Sequence, residues 1–271
     1  MKSTIISICL CWLATFLSAS STANAQQSLL TDLTGDKNVT YLAFGDSLTS
    51  GVGDGIEPGK FVDSFDIIAK YVGGGYPARV AALSGITVDN MGIPGENFLG
   101  GGVDRFPSAL VASSADLVGI MEGSNDAIRM LEPSYYQRLM QRVVNVALAS
   151  GRTPILMTIP PPCCNHDGLT PFVSNYNVEV RELASANQVP MVDLERAWAT
   201  TCEDKEACEL FNLPEGEHPN KRGYDVIAQT VLATLYGIDI FSVGGAKQLE
   251  DALGLSEGAI IVKPDIAING N

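Results

Sequence analysis

Two residues of this chain have the chemistry of a nucleophile and its base. Ser47 follows an apolar run, after Gly45 and Asp46, at a point where a strand would turn into a helix and expose the hydroxyl. His218 is one of only 2 histidines, and a neutral imidazole can accept the proton of a serine hydroxyl. A serine in such a turn is equally typical of a helix cap. The neighbouring residues therefore decide between the two interpretations.

A carboxylate stands close to His218 in the sequence. Glu215 precedes His218 by three residues, so one turn of chain could bring this carboxylate to the far ring nitrogen. There it would fix the tautomer of the ring and stabilise the imidazolium. We interpret the other histidine, His166, as an exposed or pocket-lining side chain of a loop.

Three groups could stabilise the negative oxygen that forms when a nucleophile attacks a carbonyl. They are the backbone N–H of Ser47, the backbone N–H of Gly95 and the side-chain amide of Asn125. Each has an alternative interpretation, because Gly95 follows Pro94 in a turn and Asn125 could cap a helix.

The segments around these residues have the pattern of an α/β domain. Short β-branched runs alternate with helical stretches, which is typical of a parallel sheet covered by helices. Strands are predicted at residues 39–44, 86–90, 117–122, 155–159 and 190–193. Helices are predicted at residues 76–83, 103–111, 135–148, 172–186 and 224–235. Together they predict a three-layer α/β/α sandwich with a five-stranded sheet.

The polar motifs fall where strands end. Ser47 follows the first predicted strand, residues 92–95 the second, residues 123–126 the third and residues 160–166 the fourth. Ligands of open parallel sheets bind outside the carboxyl ends of the strands. We therefore expect these segments to meet at one edge of the sheet.

Four short blocks, in order along the chain, resemble those of the GDSL family of SGNH hydrolases over roughly residues 39–236. They are Gly45-Asp46-Ser47-Leu48, Asn90-x-Gly92-x-x-Gly95, Gly123-Ser124-Asn125-Asp126 and His218-Pro219. The resemblance implies a flavodoxin-like fold, Ser47 as nucleophile, His218 as base, and an oxyanion hole from Ser47, Gly95 and Asn125. It also implies an esterase or lipase-like enzyme that cleaves acyl esters of small molecules or lipids without a cofactor. We expect no metal ion.

One position departs from the family pattern. The last block of the family normally reads Asp-x-x-His-Pro, whereas Glu215 stands at the aspartate position. Glutamate has one more methylene, so the loop must shift, or Glu217 or a backbone carbonyl must take over the role. A Ser-His dyad with a weak third member is one alternative. A secreted binding module that has lost activity is another.

The chain has the features of an exported protein. Residues 1–25 read as a signal peptide, with Lys2, an apolar run and Ala23-Asn24-Ala25 as the cleavage site. We expect a hydrolase domain at residues 26–240, a packed C-terminal extension at residues 241–271, and a secreted or periplasmic location.

Composition narrows the partners of the mature chain. No other stretch approaches the roughly 20 apolar residues of a membrane span, so we expect no integral membrane segment. The formal net charge of −14 and the lack of Lys and Arg clusters argue against nucleic acid as a partner.

Four cysteines remain in the expected mature chain, namely Cys163, Cys164, Cys202 and Cys208. An even number in an exported protein predicts two disulfides. Adjacent cysteines pair poorly because the small ring is strained, so we expect Cys163 and Cys164 each to bond to one of the other two. A metal site of these thiolates and His166 is the alternative, but the spacing lacks a paired CxxC.

A glycine-rich stretch at residues 51–75 interrupts the alternation of strands and helices and is predicted to be a surface insertion. Its apolar residues could wall an acyl pocket, which favours lipid or aliphatic esters over sugar acetates. They are Ile56, Phe61, Phe65, Ile67 and Ile68. Ordinary core packing would give the same pattern, and acyl transfer to an alcohol instead of water is a further alternative.

Overall fold

Five parallel strands form one sheet in the computed structural model, which describes residues 27–61, 67, 73–204 and 206–265. The predicted signal peptide and two predicted pocket residues, Phe65 and Ile68, lie outside these ranges. The strands are β1 (Thr40–Gly45), β2 (Thr87–Gly92), β3 (Leu117–Met121), β4 (Thr153–Met157) and β5 (Met191–Val192). Their order across the sheet is β2-β1-β3-β4-β5.

Helices connect the strands. In chain order they are α1 (Ser47–Ser50), α2 (Gly75–Ser84), α3 (Val103–Ala112), α4 (Ser124–Ile128), α5 (Pro133–Ala149), α6 (Thr170–Asn187), α7 (Leu194–Thr201), α8 (Lys221–Tyr236) and α9 (Gly245–Leu253). A π-helical turn, Phe98–Gly102, precedes α3, and a 3-10 helix, Cys164–Leu169, precedes α6. Among the described residues, no helix combines the length and the apolar character that crossing a membrane requires.

The strand order determines how the helices are layered. Crossovers between parallel strands are almost always right-handed. The chain moves from β1 to β2 in one direction and from β2 through β3 and β4 to β5 in the other. Helix α2 therefore lies on one face, together with α8, which packs against it. Helices α3, α5 and α6 lie on the other face, and the predicted three-layer sandwich with a parallel five-stranded sheet is confirmed.

Aromatic side chains fill the core on the α3, α5 and α6 side. Phe44 of β1 contacts Phe106 of α3 edge to face, with ring centroids 4.9 Å apart. Tyr136 of α5 stacks on Tyr176 of α6, with centroids 4.2 Å apart. Such pairs stabilise beyond the area that they bury, so they hold these three helices on the sheet.

Part of the glycine-rich stretch is buried, and the prediction of a surface insertion is wrong for this part. Ile56 and Ile67 are 1% and 0% exposed and form a small apolar cluster with Val52. They therefore offer an acyl chain no accessible surface. Phe61 is 74% exposed.

The C-terminal residues 241–265 pack onto α8. Leu249 of α9 is buried in the core. The side chain of Gln229 in α8 accepts the N–H of Ile261 at 2.8 Å and donates to the carbonyl of Ala259 at 3.1 Å. These two hydrogen bonds fix the segment after α9 to the body of the protein.

The observed disulfide differs from the predicted pairing, which is wrong. Cys202 directly follows α7 and bonds to Cys208, and their Cα atoms lie 5.4 Å apart, within the usual range. Cys163 and Cys164 are free, with their sulfurs 2.8 Å apart. The chain turns back so soon after α7 that the partner of Cys202 is local. A loop this short stabilises by about 2 kcal/mol in the chain-entropy model, compared with about 4 kcal/mol for loops of roughly 40 residues.

Peptide mapping tests this pairing. The protein is alkylated in denaturant without reduction, because burial and the neighbouring Cys164 raise the pKa of the Cys163 thiol to about 12 in the folded state. We expect one cross-linked pair, Cys202 with Cys208, and alkylated Cys163 and Cys164. A peptide joining either adjacent cysteine to Cys202 or Cys208 would contradict the pairing in the structure.

Candidate active site

The ends of three neighbouring strands bring the predicted site segments together. In the register of the sheet, Gly45 of β1 pairs with Gly92 of β2 and with the last residue of β3. Ser47 lies two residues beyond this level, Gly95 three and Asn125 four. Because β1 lies between β2 and β3, Ser47 lies between the segments that carry Gly95 and Asn125.

Asp46 shapes the turn that carries Ser47. Its Oδ1 accepts the N–H of Leu48 at 2.9 Å, so Asp46 is the N-cap of α1. Ser47 is the first residue of this short helix and is 7% exposed. Gly45 allows the close approach of strand and turn, because a Cβ there would lie 2.2 Å from the carbonyl oxygen of Met121. Ser47 is thereby fixed at the sheet edge.

His218 reaches Ser47 from the loop ahead of α8. Its Nε2 lies 2.9 Å from the Oγ of Ser47. Asn212 donates from Nδ2 to the carbonyl of His218 at 3.0 Å and to that of Gly53 at 3.3 Å. Asn220 caps α8 by accepting two N–H groups of its first turn. These buried amides position the loop, and with it the imidazole.

Glu215 contacts the other ring nitrogen despite its extra methylene. Its Oε1 lies 2.7 Å from Nδ1 of His218. Its Oε2 accepts the backbone N–H groups of Glu217 at 3.0 Å and of His218 at 2.8 Å. The side chain folds back over its own turn, which accommodates the longer residue. The structure thus brings together Ser47, His218 and Glu215.

The charges of this cluster shift the pKa values of both partners. Burial lowers the pKa of His218, but the hydrogen bond and charge of Glu215, with the charges of Glu217 and Asp46, raise it above its ordinary value. Burial raises the pKa of Glu215, but the contacts with His218 and the two backbone N–H groups bring it below its ordinary value. The cluster therefore favours the ion pair of Glu215 with a protonated His218.

Gly95 occupies a turn that leaves its surroundings open. The N–H of Glu96 donates to the carbonyl of Ile93 at 3.1 Å, so Pro94 and Gly95 are the central residues of a β-turn. Gly95 has φ of 80°, which in a turn after proline favours glycine. Apart from its chain neighbours, no atom of the described residues lies within 4 Å of the position that a Cβ would take. Gly95 therefore occupies the turn expected after Pro94, and the space beside it is open to another group.

Asp46 also contacts the segment after β3, a role that the sequence analysis missed. Its Oδ2 accepts the Ser124 hydroxyl at 2.9 Å and the side-chain amide of Asn125 at 3.3 Å. Burial raises the pKa of Asp46 to about 7, against the opposing hydrogen bonds from Leu48 and Ser124. The sequence analysis considered a cap only for Ser47, and no pattern in the sequence indicated either contact of Asp46.

His166 contacts the backbone of Glu215, with its Nδ1 2.7 Å from the Glu215 carbonyl oxygen. The ring of His166 and the carboxylates of Glu215 and Glu217 lie close enough together to hold a metal ion. Both carboxylate oxygens of Glu215, however, already bind the ring and backbone of His218 and the N–H of Glu217. A metal ion would have to displace these contacts, so this cluster does not support a metal site.

Titration of the imidazoles tests the electrostatics of the site. Glu215→Gln removes a charge that raises the pKa of His218 and leaves the burial that lowers it, so we expect the pKa of His218 to fall. NMR of the ring C–H protons measures this value, and His166→Asn assigns the two signals. Glu182→Gln, at an exposed position of α6, is the control. An unchanged pKa of His218 in Glu215→Gln would contradict the proposed electrostatics.

Solved structures of several bacterial proteins share this fold. An acetylxylan esterase from Geobacillus stearothermophilus is 23% identical, with a TM-score of 0.59 over 73% of this chain and 94% of that one. A putative lipolytic protein of the G-D-S-L family from Desulfitobacterium hafniense is 20% identical, with a TM-score of 0.56 over 72% and 98%. A lipase/acylhydrolase from Enterococcus faecalis is 19% identical, with a TM-score of 0.54 over 73% and 96%. At these identities the likeness bears on the fold.

The family comparison concerns the sequence itself. No curated protein sequence matches the chain. The model of the GDSL-like lipase/acylhydrolase family matches residues 43–226, more than half of the chain, and this span includes Ser47, Gly95, Asn125 and His218. The resemblance seen in the four blocks is thereby confirmed, and the chain belongs to the GDSL-like lipase/acylhydrolase family.

Proposed function

We propose that the chain is an exported serine esterase that cleaves carboxylic esters through an acyl-serine intermediate. One observation carries the proposal: the continuous contact from the Ser47 hydroxyl through His218 to Glu215, with distances of 2.9 and 2.7 Å. This is the arrangement of a nucleophile, a base and an orienting carboxylate. Export rests on the signal-like residues 1–25.

In the first half of the reaction, Ser47 is acylated. Its Oγ attacks the ester carbonyl carbon while Nε2 of His218 takes the hydroxyl proton, which gives a tetrahedral intermediate with a negative oxygen. The N–H groups of Ser47 and Gly95 and the amide of Asn125 donate to this oxygen. The intermediate collapses as the protonated His218 gives its proton to the departing alcohol oxygen. Ser47 then carries the acyl group as an ester.

In the second half, water removes the acyl group by the same steps. His218 takes a proton from water, the hydroxide attacks the acyl carbon, and the proton returns to Oγ of Ser47. The carboxylic acid leaves and the free enzyme is restored. Glu215 stays ionised throughout and stabilises His218 each time its ring becomes charged.

Exposed apolar side chains in the segments after β2 and β3 favour an aliphatic acyl group. Ile93 and Leu99 flank Gly95 in the loop after β2, and Ile128 and Met130 follow Asn125 after β3. The two loops contact each other, because Oδ2 of Asp126 accepts the N–H of Phe98 at 3.1 Å. Exposed apolar surface beside a site is typical of ligand-binding regions. They replace Ile56 and Ile67 as the residues expected to contact the acyl chain.

The geometry weakens the proposal of an inactive binding module. That alternative rested on the glutamate at the aspartate position, yet the Glu215 carboxylate reaches Nδ1 of His218 at 2.7 Å. The acetylxylan esterase with the same fold does not by itself favour a sugar ester here, since fold alone does not determine the substrate.

Hydrolysis of p-nitrophenyl esters from acetate to palmitate tests the proposal. We expect wild-type activity with medium or long acyl chains, and a loss of about 10⁴-fold or more in kcat for Ser47→Ala and His218→Ala, because each removes a reacting group. Glu215→Gln should lose about 10⁴-fold in kcat, since the imidazolium loses its counter-charge and the ring its tautomer. Ser185→Ala, at an exposed serine of α6, is the control.

The pH dependence follows from the protonation state that the base requires. His218 must be neutral to accept a proton, and its pKa is raised, so kcat/KM should increase with pH through a value above about 6.5, the ordinary histidine pKa. In Glu215→Gln the remaining kcat/KM should also increase with pH, but the increase should occur at a lower pH than in wild type, because the pKa of His218 is lower. Equal hydrolysis by wild type and Ser47→Ala on every ester would refute the proposed function.

A further inference from the structure

The turn that carries Glu215 is held by a neighbouring loop, residues 163–166. Two backbone N–H groups of this loop donate to the carbonyls of Gly216 at 2.9 Å and of Pro214 at 3.1 Å. Gly216 has φ of 84°, and a Cβ there would lie 2.1 Å from the carbonyl oxygen of Cys163. The loop and the turn are therefore in direct backbone contact, with no room for a side chain between them.

His166 supplies the one side-chain hydrogen bond among these contacts of the described residues 163–166 with the turn. Its Nδ1 lies 2.7 Å from the carbonyl oxygen of Glu215. A carbonyl oxygen can only accept, so Nδ1 must carry the proton. The ring therefore fixes the backbone of the same residue whose carboxylate contacts His218.

The second nitrogen of His166 faces Glu217. Its Nε2 lies 3.5 Å from Oε2 of Glu217, which is 8% exposed. Burial raises the pKa of Glu217, while the charges of His218 and His166 oppose this rise. Glu217 thus lies beside the ring that contacts the backbone of Glu215.

We propose that His166 is a positioning residue for the catalytic cluster and that it keeps the Glu215 turn aligned with His218. This role rests on the proposed esterase function. His166 touches neither the nucleophile nor the reacting atoms; it acts through the backbone of Glu215.

The extra methylene of Glu215 explains why such a residue is useful here. A longer side chain has one more rotatable bond, so its carboxylate can leave the imidazole more easily than that of an aspartate. The two N–H groups that bind Oε2 hold the carboxylate end, and His166 holds the backbone end. With both ends fixed, Oε1 stays on Nδ1 of His218. Small displacements of such a group have large effects on the rate.

Two substitutions at one position test the proposal. His166→Ala removes the donor, and we expect kcat for the best ester to fall about tenfold while KM changes less than about twofold. In His166→Asn the side-chain amide can stand in for Nδ1–H, so kcat should return to within about threefold of wild type. Asp167→Asn, at the exposed neighbouring position, is the matched control. Thermal unfolding of each variant reports stability separately.

The Nδ1 proton of His218 gives a readout that does not depend on turnover. Because the chain has only 2 histidines, ring protons of the ¹⁵N-histidine-labelled protein are readily assigned. We expect this proton to exchange with solvent about tenfold faster in His166→Ala than in wild type, and at the wild-type rate in His166→Asn.

The outcomes separate this inference from the proposed function. If His166→Asn is as impaired as His166→Ala, or if kcat falls only in step with stability while the His218 proton exchanges at its wild-type rate, His166 has no positioning role. If the wild type hydrolyses no ester, the proposed function fails, and the exchange rates still show whether His166 fixes the Glu215 turn.

Discussion

A buried carboxylate beside a buried imidazole is the contact on which the rest of the site depends. Burial alone destabilises a charge on either group, so neither Glu215 nor His218 can be charged there without compensation. The compensation comes from the hydrogen bond between them and from two backbone N–H groups on the second oxygen of Glu215. In the conformation that makes all of these contacts, Nε2 of His218 lies 2.9 Å from the Oγ of Ser47.

The sheet supplies the other half of the geometry. Because β1 lies between β2 and β3, the segments after these three strands end side by side. Asp46 then joins two of them, capping the helix of Ser47 with one oxygen and accepting from Ser124 and Asn125 with the other. A single buried side chain thus links the turn of Ser47, the proposed nucleophile, to Asn125, a proposed oxyanion donor. Its pKa of about 7 reflects how strongly this position is shielded from water.

The sequence predicted the parts of the molecule that depend on local patterns or on order along the chain. The strands are runs of β-branched and apolar residues, and their observed ends lie within two residues of the predictions. Helices α1, α4, α7 and α9 were not predicted, and the first two, of four and five residues, are too short to show a helical periodicity. The disulfide pairing and the burial of Ile56 and Ile67 depend on contacts that no local pattern specifies. The folded-back side chain of Glu215 makes contacts within three residues, but it depends on the backbone conformation around Gly216, which has a positive φ.

Covalent trapping of Ser47 tests the central claim most directly. An alkyl p-nitrophenyl phosphonate offers the nucleophile a phosphorus atom, and attack releases p-nitrophenolate and leaves a stable adduct. We predict one adduct per chain, located on the peptide that contains Ser47, absent in Ser47→Ala and formed far more slowly in His218→Ala. An adduct on another residue, or equal labelling of wild type and Ser47→Ala, would contradict the assignment of Ser47 as the nucleophile activated by His218.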